Sequence, residues 1–295
     1  MIERLLLLYP RRYRSEYGEE ILAVHREATA QAPPLDRFRE AADITAHAVR
    51  MRLGVDSASP AGRFLADAAP FIVAAAAAGS GMYLSEWYAS VVASPAPLML
   101  FLDAWSALLL AAALIVVGAI TALTGRWRAG ATAVVLGSVG WAVAAAIQGA
   151  GFGHVVATPA MALLTALLVA AVPPDTAPAP DVCAVAGAMA GAVWLPMTAL
   201  DAEILPFSTD YGAWPLLVPA ITALLWALRT RSRGVRETAV MAAASLPLIT
   251  PAYLTAWGHP LPVLAMTVAL PLAGALAAGA YALRSPRRTD RPGRN

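Results

Sequence analysis

The chain has 295 residues, of which 59% are hydrophobic and only 14% are charged. This composition excludes an ordinary soluble domain of that size and indicates a protein whose natural solvent is the lipid bilayer. The formal net charge of +2 gives no case for direct nucleic-acid binding, and the single cysteine, Cys183, excludes an intramolecular disulfide.

Residues 1–63 predict a small cytoplasmic domain, because this segment holds 10 of the 21 arginines and nine carboxylates, in contrast to the apolar sequence after it. We expect no cleaved signal peptide, since a short leucine run leads directly into a proline and several arginines. We predict three helices: a short one over 2–9, a second that begins near Pro10, and a third that follows Pro33-Pro34 and ends at Gly54.

The two longer predicted helices each carry an apolar stripe at helical spacing, so we expect them to cover each other. The stripes comprise Tyr13, Tyr17, Ile21, Val24 and Ala28 on one helix and Phe38, Ala41, Thr45, Ala48 and Met51 on the other. A unit this small buries little apolar surface, so it is expected to depend also on the membrane, a partner or a second copy. Its Arg11, Arg12 and Arg14 fit either anionic lipid head groups or an ordinary solvated surface.

Residues 64–283 predict about eight membrane-spanning helices, since eight apolar segments each approach the roughly 20 residues that cross the hydrocarbon core. The predicted spans are 64–83, 97–123, 130–149, 154–172, 182–201, 213–228, 238–257 and 261–283. Outside 1–63, the arginines lie in the connections 124–129 and 229–237 and in the basic tail 284–295. The connections 84–96, 150–153, 202–212 and 258–260 contain none and are expected to be external, and the inner connection 173–181 has none either. Because cationic connections are retained in the cytoplasm, we expect a multi-pass protein of the cell membrane with both termini cytoplasmic.

Two patterns within the spans bear on their packing. A shift of 105 residues matches Arg126 and Arg128 with Arg231 and Arg233, and Gly153-His154 with Gly258-His259. These matches favour two parallel halves of four spans, and the alternative is chance matching of alanine-rich segments. The pair Gly187 and Gly191 forms a GxxxG motif, which predicts close approach of the fifth span to a neighbour.

Ionisable residues are scarce in the spans, and most of them lie toward the predicted external ends. The set we single out is Asp103, His154, Asp201, Glu203 and His259. Asp103 is the most informative, because an ionisable side chain within a bilayer is costly and usually marks a function or a partner. Two histidines and several carboxylates at one level fit a proton-responsive or metal-binding mouth, and the alternative is that residues at span ends meet water.

The sequence carries none of the HExxH, P-loop or GxSxG motifs that mark common classes of enzyme. Lysine is absent altogether, so the chain cannot form the usual phosphate-binding loop and does not hydrolyse ATP by itself. We therefore predict a non-enzymatic protein without a cofactor.

The segment over residues 7–22, LLYPRRYRSEYGEEIL, resembles the opening of a group of multi-pass membrane proteins from high-GC bacteria. In that group a small cytoplasmic helical domain, similar to the helix-turn-helix-associated signalling domain and to permease prefix domains, precedes a helical membrane region. Members are often encoded beside PadR-type regulators, so the resemblance implies a signalling or regulatory role. It brings no catalytic residues.

The preferred hypothesis is a signalling or regulatory protein of the cell membrane whose N-terminal domain contacts a cytoplasmic regulator. The alternative is a permease, or the membrane subunit of an ABC-type exporter, in which proline-kinked spans line a path and a separate ATPase subunit binds the inner loops. An adjacent regulator gene favours the first hypothesis, and an adjacent ATPase gene favours the second.

Overall fold

The structure is a computed structural model that describes residues 6–30, 32–55, 57, 59–93, 102–148, 158–201, 214–232, 234–245 and 247–248. These residues are helical or lie in turns and connections between helices, and they contain no strand. The chain divides into two compact units, the first comprising Met1–Ala66 with Ala171–Ala177 and the second comprising Asp67–Ala170 with Pro178–Asn295.

The helices follow in chain order and are labelled as follows: α1 (Arg11–Thr29), α2 (Pro34–Leu53), α3 (Pro60–Ala93), α4 (Leu102–Leu123), α5 (Trp127–Gln148), α6 (Thr158–Ala170), α7 (Pro180–Asp201), α8 (Trp214–Thr230) and α9 (Val235–Ala244).

The bounds of α1 and α2 follow from residues that start and stop helices. Helix α1 begins directly after Pro10, and α2 has Pro34 in its first turn, where the missing proline N–H costs no hydrogen bond. Helix α2 ends at Gly54, whose φ of +63° lies in the left-handed region that favours a residue without a Cβ. Of the predicted first helix, only residues 6–9 are described, and they form a turn in which the Tyr9 N–H donates to the Leu6 carbonyl at 3.1 Å.

The core of the first unit joins this turn to both helices. Leu6, Tyr9, Ile44 and Ala48 are buried together, and Leu8, Tyr13, Ile21, Leu22 and Met51 pack against them. The predicted stripe on α1 is therefore only partly correct, because Tyr17 is 39% exposed and Val24 is 57% exposed. Leu22 takes part in the packing, so the buried face of α1 is turned toward it and leaves Tyr17 and Val24 at the edge.

In the described part of the second unit and the end of the first, three helices are long and apolar enough to cross a membrane: Pro60–Val92, Ser106–Leu123 and Trp127–Ile147. The first of these is much longer than the predicted span 64–83, since α3 continues to Ala93. The predicted external connection 84–96 is thus helical over most of its length. No glycine or proline lies between Leu84 and Ala93, so nothing in the sequence stops α3 where the hydrophobic run weakens, and Pro95 follows two residues after its end.

The predicted spans 182–201 and 213–228 coincide with the helices α7 and α8. Apolar stretches of 10–17 residues in the described helices occupy Thr158–Ala170, Pro180–Pro196 and Leu217–Thr230. Helix α6 is described from Thr158 to Ala170, and residues 154–157 of the predicted span 154–172 lie outside the described residues. The seventh span is described only through α9 and residues 247–248, and the eighth lies outside the described residues. The number of eight spans therefore stays a prediction.

Small residues allow α4 and α5 to pack closely. A Cβ on Gly118 would come within 2.9 Å of the Val134 backbone nitrogen, and a Cβ on Gly137 would come within 2.7 Å of Ile115 Cγ1. The GxxxG motif of α7 behaves differently, because a Cβ on Gly187 or Gly191 would meet no described atom within 4 Å. In the described part of the chain, close approach thus occurs at glycines other than the predicted pair.

Candidate functional site

The predicted site at the external ends of the spans lies largely outside the described residues. Asp103 is in the first turn of α4 and Asp201 is the last residue of α7, but their side chains are not among those described. His154, Glu203 and His259 fall outside the described residues altogether. Whether these residues form one site stays a prediction. Among the described residues, no group of three or more His, Cys, Asp or Glu side chains is arranged to hold a metal ion.

A polar cluster joins α3, α8 and α9, and sequence reasoning did not identify it. Arg236 on α9 forms an ion pair with Asp67 on α3. Glu237 is only 5% exposed, and Thr230 Oγ1 lies 3.2 Å from its Oε1, while its Oε2 has no hydrogen-bond partner in the described residues. A buried carboxylate is costly unless it is hydrogen-bonded, and the Thr230 hydroxyl, which also lies 3.0 Å from the Trp226 carbonyl oxygen, is the donor that this side chain has among the described residues.

The aromatic side chains beside this cluster are packed rather than open to solvent. Phe71 on α3 is fully buried, and its ring centroid lies 5.1 Å from that of Trp226 on α8. The sequence offered one signal for the cluster, since Asp67, in the predicted span 64–83, and the arginines at 229–236 all lie near span ends that the predicted topology places in the cytoplasm. It did not identify which arginine pairs with Asp67.

A second set of polar contacts joins α3 to α7. The Trp194 Nε1–H donates to Ser85 Oγ at 3.1 Å, and Ser85 Oγ lies 3.4 Å from Thr198 Oγ1. The indole ring of Trp194 lies directly over Gly81. Hydrogen bonds between membrane helices are individually modest, so we assign this set to helix packing.

In the first unit, tyrosines and a histidine connect the N-terminal turn to α1 and α2. Tyr9 Oη lies 2.9 Å from His47 Nδ1 and 3.4 Å from the Ile44 carbonyl. The rings of Tyr9 and Tyr13 stack with centroids 5.4 Å apart, and that of Tyr17 lies 4.9 Å from Tyr13. Burial raises the pKa of Tyr9. Burial, followed by the nearby Arg50 charge, lowers the pKa of His47.

The connection between α6 and α7 belongs to the first unit through residues 171–177. Val172 and Pro173 are buried there. A hydrogen bond from Ser57, with a second from the backbone, lowers the pKa of Asp175, and the charge of Arg50 acts in the same direction. This connection was predicted to be cytoplasmic although it has no arginine, and the contact with Ser57 brings it to residues of the N-terminal segment.

The exposed side of α1 combines apolar and acidic side chains. Tyr17 and Val24 lie one heptad apart and are exposed, and Glu16, Glu20 and Glu27 are exposed on the same helix. A hydrogen bond with Glu16 raises the pKa of Tyr17. Apolar and acidic groups thus share one surface that is open to a partner.

No protein-family model matches the chain, and comparisons with characterised proteins and with solved structures find no match either. The resemblance of residues 7–22 to the N-terminal domains of multi-pass membrane proteins therefore stays a prediction.

Proposed function

We propose that the chain is a multi-pass protein of the cell membrane whose N-terminal unit binds a cytoplasmic partner, and that its role is signalling or regulation rather than catalysis. The observation that carries the proposal is the open, mixed apolar and acidic surface of α1 in a chain that also has three helices able to cross a membrane. A domain of this kind offers a binding surface, while the spans hold it at the membrane.

The exposed side chains of the second unit support membrane insertion. Large apolar side chains project from the outer faces of α4 and α5, and examples are Leu110, Val117, Ile120, Leu136, Val143 and Ile147. Such a face is unfavourable in water, since contiguous exposed apolar surface of soluble proteins is limited, but it matches the acyl chains of a bilayer.

Eight spans with both termini in the cytoplasm remain part of the proposal, and two contacts support that topology. The ion pair of Asp67 with Arg236 joins two residues predicted on the same side of the membrane. Residues 171–177 belong to the same compact unit as the N-terminal segment, and both are predicted to lie on the cytoplasmic side of the membrane. Each contact requires its two segments to share one side of the membrane.

Thiol labelling tests this topology, because Cys183→Ala gives a cysteine-free chain in which single cysteines can be introduced. We expect Thr124→Cys and Ser232→Cys to be protected from a membrane-impermeant reagent in intact cells and labelled after permeabilisation. Ser208→Cys, in a predicted external connection, is the matched control and is expected to be labelled in intact cells. Labelling of Thr124→Cys and Ser232→Cys from opposite sides would contradict the topology.

Copurification tests the proposed role. We expect the tagged full chain to retain a specific cytoplasmic protein that is lost when residues 1–59 are removed and the membrane region still accumulates. A nucleotide-binding subunit that is retained without residues 1–59 would instead favour the exporter alternative. Identical sets of bound proteins with and without these residues would contradict a partner-binding role of the N-terminal unit.

A further inference from the structure

The exposed side of α1 has a definite arrangement of apolar and charged groups. Tyr17 and Val24 are separated by seven residues, or about 10 Å along the helix axis, so they lie on one line. Glu20 and Glu27 lie three residues beyond each of them and form one edge of this line, and Glu16 lies beside Tyr17 on the same side. We call these five residues the acidic-apolar patch.

The patch is left open although its helix is packed on the other side. Tyr13, Ile21 and Leu22 contact the core of the first unit, whereas Tyr17 and Val24 remain 39% and 57% exposed. Tyr17 and Val24 have the seven-residue spacing at which apolar side chains of one helix pack against a neighbouring helix. The neighbour for this line is not supplied by the described part of the first unit.

Charge decides what kind of neighbour fits. A second copy that packed the same edge against this one would place glutamates opposite glutamates, which is repulsive. The three carboxylates beside Tyr17 and Val24 would also repel an anionic membrane surface, whereas the arginines offered to lipid head groups, Arg11, Arg12 and Arg14, lie at the N-terminal end of α1. An amphipathic helix with two apolar residues one heptad apart and arginine or lysine beside them would cover Tyr17 and Val24 and pair with all three carboxylates.

We propose that the acidic-apolar patch of α1 docks a basic amphipathic helix of a cytoplasmic protein. This inference rests on the proposed function, and it specifies the surface and the chemistry of the partner. Apolar contact with Tyr17 and Val24 supplies the burial, and the three glutamates set the orientation and the preference for a basic partner.

Photo-crosslinking in cells tests the occupant directly. A photo-crosslinking phenylalanine analogue replaces Tyr17 or Val24 in the full chain, and the crosslinked peptides are sequenced by mass spectrometry. Glu19, which is exposed on α1 and lies roughly 160° around the helix axis from Tyr17, is the matched control position. We expect both patch positions to capture one helical segment with the basic amphipathic pattern, and position 19 not to capture it.

The charge requirement is tested on the same crosslink. We expect the combined substitution Glu16→Gln, Glu20→Gln and Glu27→Gln to lower its yield about tenfold, because each lost surface pair contributes a few tenths to about 1 kcal/mol. Glu19→Gln is expected to leave the yield unchanged. Equal losses in these two variants would overturn the proposal.

Other captured segments also decide the question. Capture of an acidic segment, of a lipid, of α1 from a second copy or of the tail 284–295 would overturn the proposal, because each identifies a different occupant. Capture of a cytoplasmic protein from position 19 alone would overturn the docking surface and leave the proposed function standing. Absence of any protein crosslink from all three positions would count against both.

Discussion

The indole ring of Trp194 on α7 covers Gly81 on α3 so closely that a Cβ on Gly81 would lie 2.6 Å from two ring carbons. The same indole donates its N–H to Ser85, one turn further along α3, at 3.1 Å. The indole ring is therefore positioned by its contact with Gly81 and by its hydrogen bond to Ser85. The ring fits in this place because Gly81 has no side chain.

Gly81→Ala is expected to destabilise the membrane region by about 1–3 kcal/mol, because the added methyl group forces the indole ring or the helix to move. The measurement is the unfolding transition of the purified full chain in detergent micelles. Gly187→Ala is the matched control, since a Cβ there would meet no described atom within 4 Å, and we expect it to be neutral or slightly stabilising.

A second substitution separates this clash from a general effect at position 81. Trp194→Phe replaces the indole by a smaller ring, so Gly81→Ala is expected to cost less in that background than in the native chain. Equal costs in both backgrounds, or equal stability of Gly81→Ala and Gly187→Ala, would contradict the assigned contact.

The α4–α5 hairpin provides a second test of close packing. A Cβ on Gly137 would lie 2.7 Å from Ile115 Cγ1 and 3.0 Å from the Ala111 carbonyl oxygen, whereas a Cβ on Gly140 would lie an ordinary 3.8 Å from Ala111 Cβ. We expect Gly137→Ala to lower stability by about 1–3 kcal/mol and Gly140→Ala to leave it nearly unchanged. The readout is the same unfolding transition, and similar behaviour of the two variants would show that α5 does not approach α4 in this register.

Thr230 is expected to contribute through Glu237 in addition to its own helix, because its hydroxyl lies 3.2 Å from Glu237 Oε1 and 3.0 Å from the Trp226 carbonyl oxygen. Thr230→Val keeps the side-chain shape but removes the hydroxyl 3.2 Å from Glu237 Oε1, and leaving a buried acceptor without its donor costs about 1–3 kcal/mol. Thr222→Val is the control, because the Thr222 hydroxyl donates to the Val218 carbonyl of the same helix. In a Glu237→Gln background the cost of Thr230→Val should change, and strict additivity would argue against the contact.

The sequence predicted helix ends and apolar segments but not these contacts between helices. Prolines and Gly54 placed the starts of α1 and α2 and the end of α2, because their backbone restrictions act locally. Charge segregation and hydropathy predicted helices able to cross a membrane, and the length of three of them agrees with this. These signals are all carried by a few neighbouring residues.

Contacts between distant segments left no such local signal. The spacing of Gly187 and Gly191 predicted close packing, yet the close approaches in the described residues are at glycines such as Gly81 and Gly137. A glycine allows close packing only where a neighbouring helix lies against it, and the local sequence does not specify that neighbour. The apolar residues of α1 likewise fit a buried stripe, and the rotation of the helix toward Leu22 left Tyr17 and Val24 exposed. The predicted site around Asp103 stays a prediction.

The stability of the first unit is expected to depend on pH through His47. Burial lowers the pKa of His47 in the folded state below its usual value of 6.5, so the unfolded chain binds the proton more tightly. Stability is then complete above about pH 6.5 and falls as the pH decreases from there toward the folded-state pKa. Hydrogen exchange of the α1 and α2 amides in the full chain reports this change in stability. Faster exchange is expected at pH 5.5 than at pH 7.5 after correction for the intrinsic rate.

Two variants separate the titration of His47 from its hydrogen bond. His47→Gln retains a polar side chain that does not titrate and is expected to remove most of this pH dependence. Tyr9→Phe removes the hydroxyl 2.9 Å from His47 Nδ1 and should weaken the unit at both pH values. An unchanged pH response in His47→Gln would assign the effect to another group.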